Sequence, residues 1–399
     1  MMDRRRLAAW LVSSAAWLTA APSAATDPSP PWAAHSTPPV PASALDPRDA
    51  ALLSLCGAGD TSLHAAASQV ASRTLRGEPA PDMHALTSSI HRLGEPHVRA
   101  RAWTIRARSI SRDDARTRLQ AWLANVDAAG TRRCGVASIV DSEQGEAIAV
   151  VVVHATADLA NPIPTRVRSG SWITFDAAVL VPSSFAKVVV MAPRGAPRTV
   201  PTSFDPRSRR VMARFMADVP GHWTAQLLIA GSAGPLPSLE TDVFADVAPE
   251  SASMTAPGEQ AAGGVTDEGT ALTVMLNATR KSENLAPLVR DVRLDAIAAR
   301  HVHAMMRTGV MGHEAGDGTP PSRIDRAGIA VKESGENVAH AGSVALAHRV
   351  LWASPSHRGN MLHARFRRVG VAAARDAAGA VWVTELFTSD EIAVQETSY

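Results

Sequence analysis

The sequence is poor in lysine and almost balanced in charge. Of its 40 Lys and Arg residues only Lys187, Lys281 and Lys332 are lysines, against 38 Asp and Glu residues. A formal net charge of +2 is too small to indicate a polyanionic partner. We therefore expect no nucleic-acid partner. The 399 residues, 46% of them hydrophobic, are typical of a folded soluble protein of two or three domains.

Three common catalytic motifs are absent. His313-Glu314 is followed by Ala315-Gly316-Asp317, so the HExxH pair of zinc peptidases is not formed. No GxSxG lies between a predicted strand and a predicted helix, and no glycine-rich phosphate loop precedes a helix. These absences exclude the usual metallopeptidases, serine hydrolases and P-loop proteins.

Cysteine is nearly absent as well. Cys56 and Cys134 are the two cysteines, and neither is part of a CxxC pair. This excludes thioredoxin-like redox catalysis and zinc held by cysteine. In an oxidising compartment the two thiols are expected to form a disulfide.

The N-terminus has the pattern of a secretory signal peptide. Three arginines at 4–6 precede an apolar run over 7–21, and small residues follow at 23–25. The apolar run is short for a membrane span, and no later stretch is long enough for one. Residues 1–25 are predicted to be a cleaved signal peptide, the alternative being a retained anchor. The mature protein is then soluble and secreted, periplasmic or at the cell surface, without a transmembrane segment.

Composition divides the rest of the chain into three folded regions. A Pro-rich linker is predicted over 26–47, and a second linker rich in Pro, Gly, Ser and Glu over 249–268. The folded regions are then 48–156, 158–248 and 269–390.

The region 158–248 has the pattern of an antiparallel β-structure. Short β-branched runs, such as residues 187–190 and 225–229, alternate with Pro and Gly turns. An immunoglobulin-like β-sandwich acting as a spacer or adhesion module fits this pattern. Its predicted core includes four large aromatic residues: Trp172, Phe175, Phe215 and Trp223.

The region 269–390 combines helices with a small sheet. Apolar residues at helical spacing predict helices around 272–279, 294–306 and 343–352. Strands are predicted at 369–372 and 381–387, joined by a turn at 376–379. Helices that cover one antiparallel sheet make an α+β sandwich.

The motifs of this region resemble the CAP superfamily, the cysteine-rich secretory, antigen 5 and pathogenesis-related type, in its bacterial SCP-like form. They occur in order over about 120 residues, which makes the resemblance specific. The matching residues are Leu276-Asn277-x-x-Arg280, Leu285-x-Pro287-Leu288, Leu294-x-x-x-Ala298, His303, Met306, Gly312-His313, Ser322-Arg323, Gly328, Gly335-Glu336-Asn337, Ser354-Pro355-x-His357-Arg358-x-Asn360-Met361-Leu362 and Phe366-x-x-Val369-Gly370-Val371.

The resemblance implies an α-β-α sandwich with a cavity that gathers two histidines and two acids. By motif the histidines are His313 and His357, and the first acid is Glu336, with Asn337 beside it. The second acid position holds Ser354, which departs from the family and should weaken metal affinity. Two imidazoles and one carboxylate are still a plausible ligand set for a divalent metal such as zinc.

A structural interpretation competes with this site. Glu336 could accept backbone N–H bonds at a turn or helix start with Asn337 as a cap, and His357 could make similar local bonds. Five further histidines are interpreted as surface or core residues: His301, His303, His340, His348 and His363.

The region 48–156 repeats part of the C-terminal pattern. Trp122, the run 134–137, Gly145 and the apolar run 148–153 follow the order of Trp352, 369–372, Gly379 and the last strand. This region lacks the Gly-Glu-Asn and Ser-Pro-x-His motifs. It is either a degenerate CAP-like fold held by Cys56 and Cys134, or an unrelated α+β domain.

These observations favour an exported CAP domain protein that acts by binding. The ligand would be a lipid, a cell-wall component or a protein, taken up in the cavity of His313, Glu336 and His357. The alternative is a peptidase or esterase in which a metal, or Glu336 with a histidine, activates water. A purely structural adhesin is a third hypothesis.

Overall fold

The computed structural model describes residues 34–39, 41, 47–81, 83–126, 130–231, 234–249 and 255–390. The predicted signal peptide lies outside these residues. We name three parts: the N-terminal region (47–155), the middle region (157–245) and the C-terminal region (256–388). In the described part of the chain, no helix has the length and apolar character needed to cross a membrane.

The N-terminal region is a four-stranded sheet between two layers of helices. Strand β5 is buried on both faces, so its apolar run continues instead of alternating. Helices α2 and α3 pack on one face, and α1 and α4 on the other. Its elements are α1 (Pro47–Cys56), β2 (Ala58–Gly59), α2 (Thr61–Leu75), α3 (Met83–Arg92), β3 (Arg101–Ala107), α4 (Arg112–Leu123), β4 (Thr131–Asp141) and β5 (Gly145–Ala155). A short strand, β1 (His35–Ser36), precedes the region.

A disulfide fixes the first helix to this sheet. Cys56, the last residue of α1, is bonded to Cys134 in β4, as the sequence predicts. Both cysteines are buried in the core formed by α1, α4 and the sheet. The bond therefore closes a loop between residues 78 positions apart.

The middle region consists of two sheets that share one apolar core. The sheet orders are β11-β10-β14-β15-β8 and β12-β13-β9-β6, antiparallel except for the pair β15–β8. The strands are β6 (Ala157–Leu159), β7 (Ile163–Pro164), β8 (Arg166–Val167), β9 (Ser171–Val179), β10 (Ala186–Met191), β11 (Arg198–Val200), β12 (Thr202–Asp205), β13 (Arg210–Ala217), β14 (Gly221–Gly231) and β15 (Gly234–Ala245).

Three of the four predicted aromatic core residues of this region are buried, but Trp172 is not. Phe175, Phe215 and Trp223 lie in the core, whereas Trp172 is 60% exposed with Arg214 over its ring. The reason is strand alternation: Ile173 and Phe175 point inward, so Trp172 points outward.

The C-terminal region is again a sheet between two helical layers. Helices α6 and α7 pack on one face, and α5, α8 and α9 on the other. This matches the expected α-β-α sandwich. Its elements are a short 3₁₀ helix (Glu259–Ala262), α5 (Glu268–Ser282), β16 (Val289–Arg290), α6 (Val292–Thr308), α7 (Pro320–Arg326), β17 (Ser334–Ala341), α8 (Val344–Ala353), α9 (Pro355–Met361), β18 (Arg368–Arg375) and β19 (Val381–Thr388).

The N-terminal and C-terminal regions have the same sheet topology. Their strand orders are β2-β4-β5-β3 and β16-β18-β19-β17. In each, a two-residue strand pairs in parallel with the first strand of a hairpin, and the second hairpin strand pairs antiparallel with the remaining strand. The helix after the two-residue strand begins with an aspartate cap, Asp60 or Asp291.

Parts of both predicted linkers contact the folded regions. Residues 35–36 form β1, which pairs with β7, because extended Pro-rich backbone still offers N–H and C=O groups to a strand. Ala256 is buried in the C-terminal core, and the carbonyl of Pro257 accepts hydrogen bonds from Thr279 and from Nε2 of His348 at 3.0 Å. These segments are therefore more ordered than their composition predicts.

Candidate functional site

Glu336 lies at the centre of a buried ionic network in the C-terminal region. It is in β17, 4% exposed, on the face of the sheet covered by α6 and α7. Its Oε2 accepts a hydrogen bond from Nη2 of Arg323, and its Oε1 lies 3.0 Å from Nδ1 of His313. The carboxylate is therefore engaged on both oxygens.

Arg323 holds this network together from helix α7. The helix begins after the cap Thr319, with Pro320 and Pro321 in its first turn, and so turns Arg323 toward the sheet. Besides Glu336, Nη1 donates to the carbonyls of Gly318 and His313 at 2.7 and 3.1 Å. A guanidinium has enough donors in a fixed plane to satisfy these acceptors together.

His301 and Asp317 complete the network. His301 is fully buried in α6, with Nδ1 2.9 Å from Oδ2 of Asp317 and Nε2 2.9 Å from the carbonyl of Gly312. Asp317 also accepts from Arg323 at 3.2 Å. Burial alone would raise the pKa of Asp317, but His301 and Arg323 lower it. His301 is thus a core residue, as the sequence indicates, and it is bonded to the site.

His313 is the exposed part of the site. Its side chain is 37% exposed, whereas that of its partner Glu336 is 1% exposed. The buried Arg323–Glu336 pair therefore fixes an imidazole that solvent reaches. Hydrogen bonding to a positioned carboxylate restricts the orientation of such a ring.

His357 lies near His313. Burial lowers the pKa of His357 to about 3, with the charge of His313 as a second cause. His357 is therefore neutral near pH 7. Its Nδ1 is buried without a hydrogen-bond partner among the described residues. The structure thus places His313 in contact with Glu336, and His357 close enough for the charge of His313 to lower its pKa.

Asn337 points to the opposite face of β17 and joins another polar group. Its Nδ2 donates to the carbonyl of His357 at 3.2 Å and to Oε2 of Glu385 at 3.0 Å. The amide of Asn360 donates to Oδ1 of Asn337 at 2.9 Å. Asn337 therefore links strand β17 to helix α9, where His357 is located.

The local interpretation of Glu336 and Asn337 is wrong. Both residues lie within a strand paired to β19, so neither stands at a turn or caps a helix. Backbone N–H groups there already pair across the sheet. The side chains instead make the long-range bonds described above.

Ser354 does not join the network. It stands between α8 and α9, and its Oγ lies 3.3 Å from Oγ of Ser356. No hydrogen bond within the described ranges connects it to His313, Glu336 or His357. A serine side chain is shorter than that of an acid, which is consistent with its remaining outside the network.

The donor set does not fit a divalent cation. Glu336 is already paired with the cation Arg323, and a second positive charge there would be repelled. Within the described ranges, no three His, Cys, Asp or Glu side chains form a group that could hold a metal ion. We derive no step through a metal.

Four polar residues of this region were not assigned to the site from the sequence. His301, Arg323 and Glu385 are buried and Asp317 is partly buried, and their partners come from other helices, strands or loops of the domain. The signal for His301 is its place in the apolar stripe of α6, next to Ala298, Val302 and Met305. The signal for Arg323 is the Ser322-Arg323 match to the family motifs, and no comparable signal exists for Asp317 and Glu385.

The fold and the site define an α-β-α sandwich with a His-Glu-Arg network beside its sheet. The model of the cysteine-rich secretory protein (CAP) family matches residues 274–387. The C-terminal region is therefore a CAP domain. No curated protein matches the chain.

Solved structures of similar proteins include three from bacteria. An outer surface protein from Borrelia burgdorferi is 18% identical, covering 31% of this chain and 93% of its own, with a TM-score of 0.30. An extracellular protein with an SCP domain from Bacillus anthracis is 14% identical. The match covers 59% of this chain and 86% of that protein, with a TM-score of 0.29. A cysteine-rich secretory protein from Staphylococcus aureus is 11% identical. The match covers 59% of this chain and 86% of that protein, with a TM-score of 0.27. The family assignment rests on the match to residues 274–387.

Proposed function

We propose that the CAP domain binds an envelope or extracellular ligand at the surface around His313. The observation that carries this proposal is the partly exposed imidazole of His313 held by the buried pair Arg323–Glu336. A fixed polar group at a solvent-accessible point can orient a ligand without losing much side-chain entropy. The ligand classes are a lipid, a cell-wall component or a protein.

The hydrolase alternative is less well supported. A general base must accept a proton from the reacting group, but both oxygens of Glu336 are occupied by Arg323 and His313. His357 is neutral near pH 7, but a pKa of about 3 makes it a weak base there. Hydrolysis of casein or short esters that His357→Gln abolishes would favour this alternative.

The rest of the chain supports an exported scaffold. We propose that residues 1–25 direct export and that the middle region is an immunoglobulin-like module. The N-terminal region, with the same sheet topology as the CAP domain, is then a degenerate CAP-like domain without the site. In strand β3 the register position of Gly335-Glu336-Asn337 is taken by Arg101-Ala102-Trp103.

Binding is tested with sedimentable probes. The purified chain is mixed with insoluble peptidoglycan, or with vesicles of phosphatidylcholine and phosphatidylglycerol, and the bound fraction is measured. We expect His313→Gln to reduce binding to one of these probes, and the matched variant His303→Gln to leave it unchanged. His303 is exposed on α6, and its Nδ1 lies 2.8 Å from the carbonyl of Ala299 in its own helix. Equal binding by both variants would refute the proposed site.

A further inference from the structure

An open surface pocket of about 280 Å³ lies between α6 and α7 of the CAP domain. It is lined by Arg300 of α6, by Arg323 and Arg326 of α7, and by Asp317 and Ala327 next to α7. We call it the arginine pocket. Arg323 and Asp317 also belong to the network around Glu336, but neither His313 nor His357 lines the pocket.

The arginine pocket has more positive than negative charge. Asp317 is engaged by His301 and Arg323, and Arg323 is also paired with Glu336. Arg300 and Arg326 have no carboxylate within ion-pair distance in the described part of the chain. Two exposed guanidinium groups therefore line the same pocket without a carboxylate partner of their own.

The pocket is built into the fold rather than formed by mobile surface side chains alone. Arg323 is 4% exposed, and its Nε is buried without a hydrogen-bond partner among the described residues. Arg326 donates through Nη2 to the carbonyl of Asp317. Gly318, with φ of +94°, makes room for this, because a Cβ there would lie 3.1 Å from Nη2 of Arg326.

The charge and shape identify the ligand class. Planar guanidinium groups bind phosphate through paired hydrogen bonds. A phosphate monoester carries about −1.5 to −2 charges near pH 7, which matches the two uncompensated arginines. The volume exceeds that of a single phosphate group and leaves space for a small polar substituent. We propose that the arginine pocket binds a phosphate monoester.

The test is calorimetric titration of the full chain at constant ionic strength with inorganic phosphate and with glycerol 3-phosphate. We expect saturable binding with a Kd on the order of 1 mM. The double substitution Arg300→Gln, Arg326→Gln should weaken it at least tenfold. Arg307→Gln, an exposed arginine on α6 outside the pocket, should change it less than twofold.

Two outcomes would overturn the proposal. One is the absence of saturable heat with either phosphate compound up to about 20 mM. The other is equal weakening by the double variant and by Arg307→Gln, which would indicate diffuse charge only. If the double variant does not fold, Arg300→Gln alone is used, since this exposed side chain has no ion pair to lose.

A second arm separates a soluble ligand from a lipid headgroup. Phosphatidic acid has the same monoester chemistry, so vesicles with and without it are sedimented with the protein. We expect glycerol 3-phosphate to release any bound protein, because the pocket is sized for a small molecule. If vesicle binding depends on the two arginines and glycerol 3-phosphate does not reverse it, the assignment of a soluble ligand is refuted.

Discussion

At the scale of single residues, the CAP domain depends on charges that are removed from water. Arg323 and Glu336 are both about 4% exposed and paired with each other. Removing one partner of such a pair leaves the other charge buried, which is far more costly than losing a surface ion pair. The pair is therefore a poor target for testing function, and the exposed His313 is a better one.

Glu385 is a buried acid with a single hydrogen bond. Burial raises its pKa from 4.5 to about 7, and the Asn337 amide only partly offsets this. The unfolded chain loses the proton near pH 4.5 while the folded protein keeps it until about pH 7. The free energy of unfolding should therefore fall over this range, by about 3 kcal/mol from this group.

The substitution Glu385→Gln removes this dependence. The glutamine stays neutral at every pH, and its carbonyl can still accept from Asn337. We expect the variant to gain about 3 kcal/mol relative to the parent between pH 4 and pH 8. Urea unfolding at both pH values measures the difference. If the difference in the free energy of unfolding between the two proteins were the same at both pH values, the substitution would have changed only packing.

Residue-scale prediction from sequence succeeded where a motif marks the position and failed where partners are remote. The motifs mark His313 and Glu336, and the structure places Nδ1 of His313 3.0 Å from Oε1 of Glu336. The partner of Glu336 is an arginine 13 positions earlier. An exposed arginine and a buried one look the same in a sequence, because only tertiary packing decides their burial.

At the scale of elements, helix α6 lies very close to strand β18. A Cβ on Gly370 would lie 2.1 Å from the backbone carbon of Leu294, a distance that real contacts do not reach. Gly135 in β4 stands in the same relation to Leu63 of α2, at 1.9 Å. Helix and sheet can approach in this way only where the strand has a glycine.

We expect Gly370→Ala to destabilise the protein by about 3 kcal/mol, because helix α6 must move away from the sheet. Gly342→Ala is the matched control, since nothing lies within 4 Å of a Cβ at that position. The urea midpoints of the two variants and the parent protein are compared. A similar small effect for both would contradict the close approach.

The elements themselves were predicted unevenly. Helices α5, α6 and α8 and the hairpin β18–β19 follow the apolar spacing and the turn, so pattern alone locates them. The sequence does not predict strand β17, because Gly335 and Asn337 are typical turn residues. Its partner β19 overrides this local preference by pairing along the whole strand.

The disulfide acts on a single element pair, α1 and β4. Replacing Cys56 and Cys134 by alanine should lower the free energy of unfolding by about 4 kcal/mol, since the unfolded chain loses a long closed loop. Because both sulfurs are buried, reductant should have this effect only once denaturant opens the N-terminal region. Equal midpoints with and without reductant would contradict the assignment.

At the scale of the whole molecule, buried charges connect the N-terminal and middle regions. His97 is 1% exposed, with Nδ1 bonded to Glu95 and Nε2 3.2 Å from Asp158 at the start of the middle region. Arg133 of β4 makes two 2.5 Å bonds to the same Asp158. These groups therefore hold the N-terminal and middle regions in contact.

Burial alone would lower the pKa of His97, but the carboxylates of Glu95 and Asp158 raise it to about 9. A raised pKa adds stability that is complete below the unfolded value of 6.5 and is lost as the pH rises through 9. The expected loss is about 3 kcal/mol. Glu385, with a pKa of about 7, also titrates in this range, so the contribution of His97 is measured as the difference between the parent and a His97 variant.

Urea unfolding at pH 6 and pH 9.5 tests this interface. His97 should account for about 3 kcal/mol of the stability that the parent protein loses between the two values. His97→Gln should be less stable at pH 6, because Glu95 and Asp158 lose their counter-charge, and should lose about 3 kcal/mol less than the parent between the two pH values. His303→Gln should keep the slope of the parent. If His97→Gln keeps it as well, His97 is not the group that joins the two regions, and the pH dependence has another source.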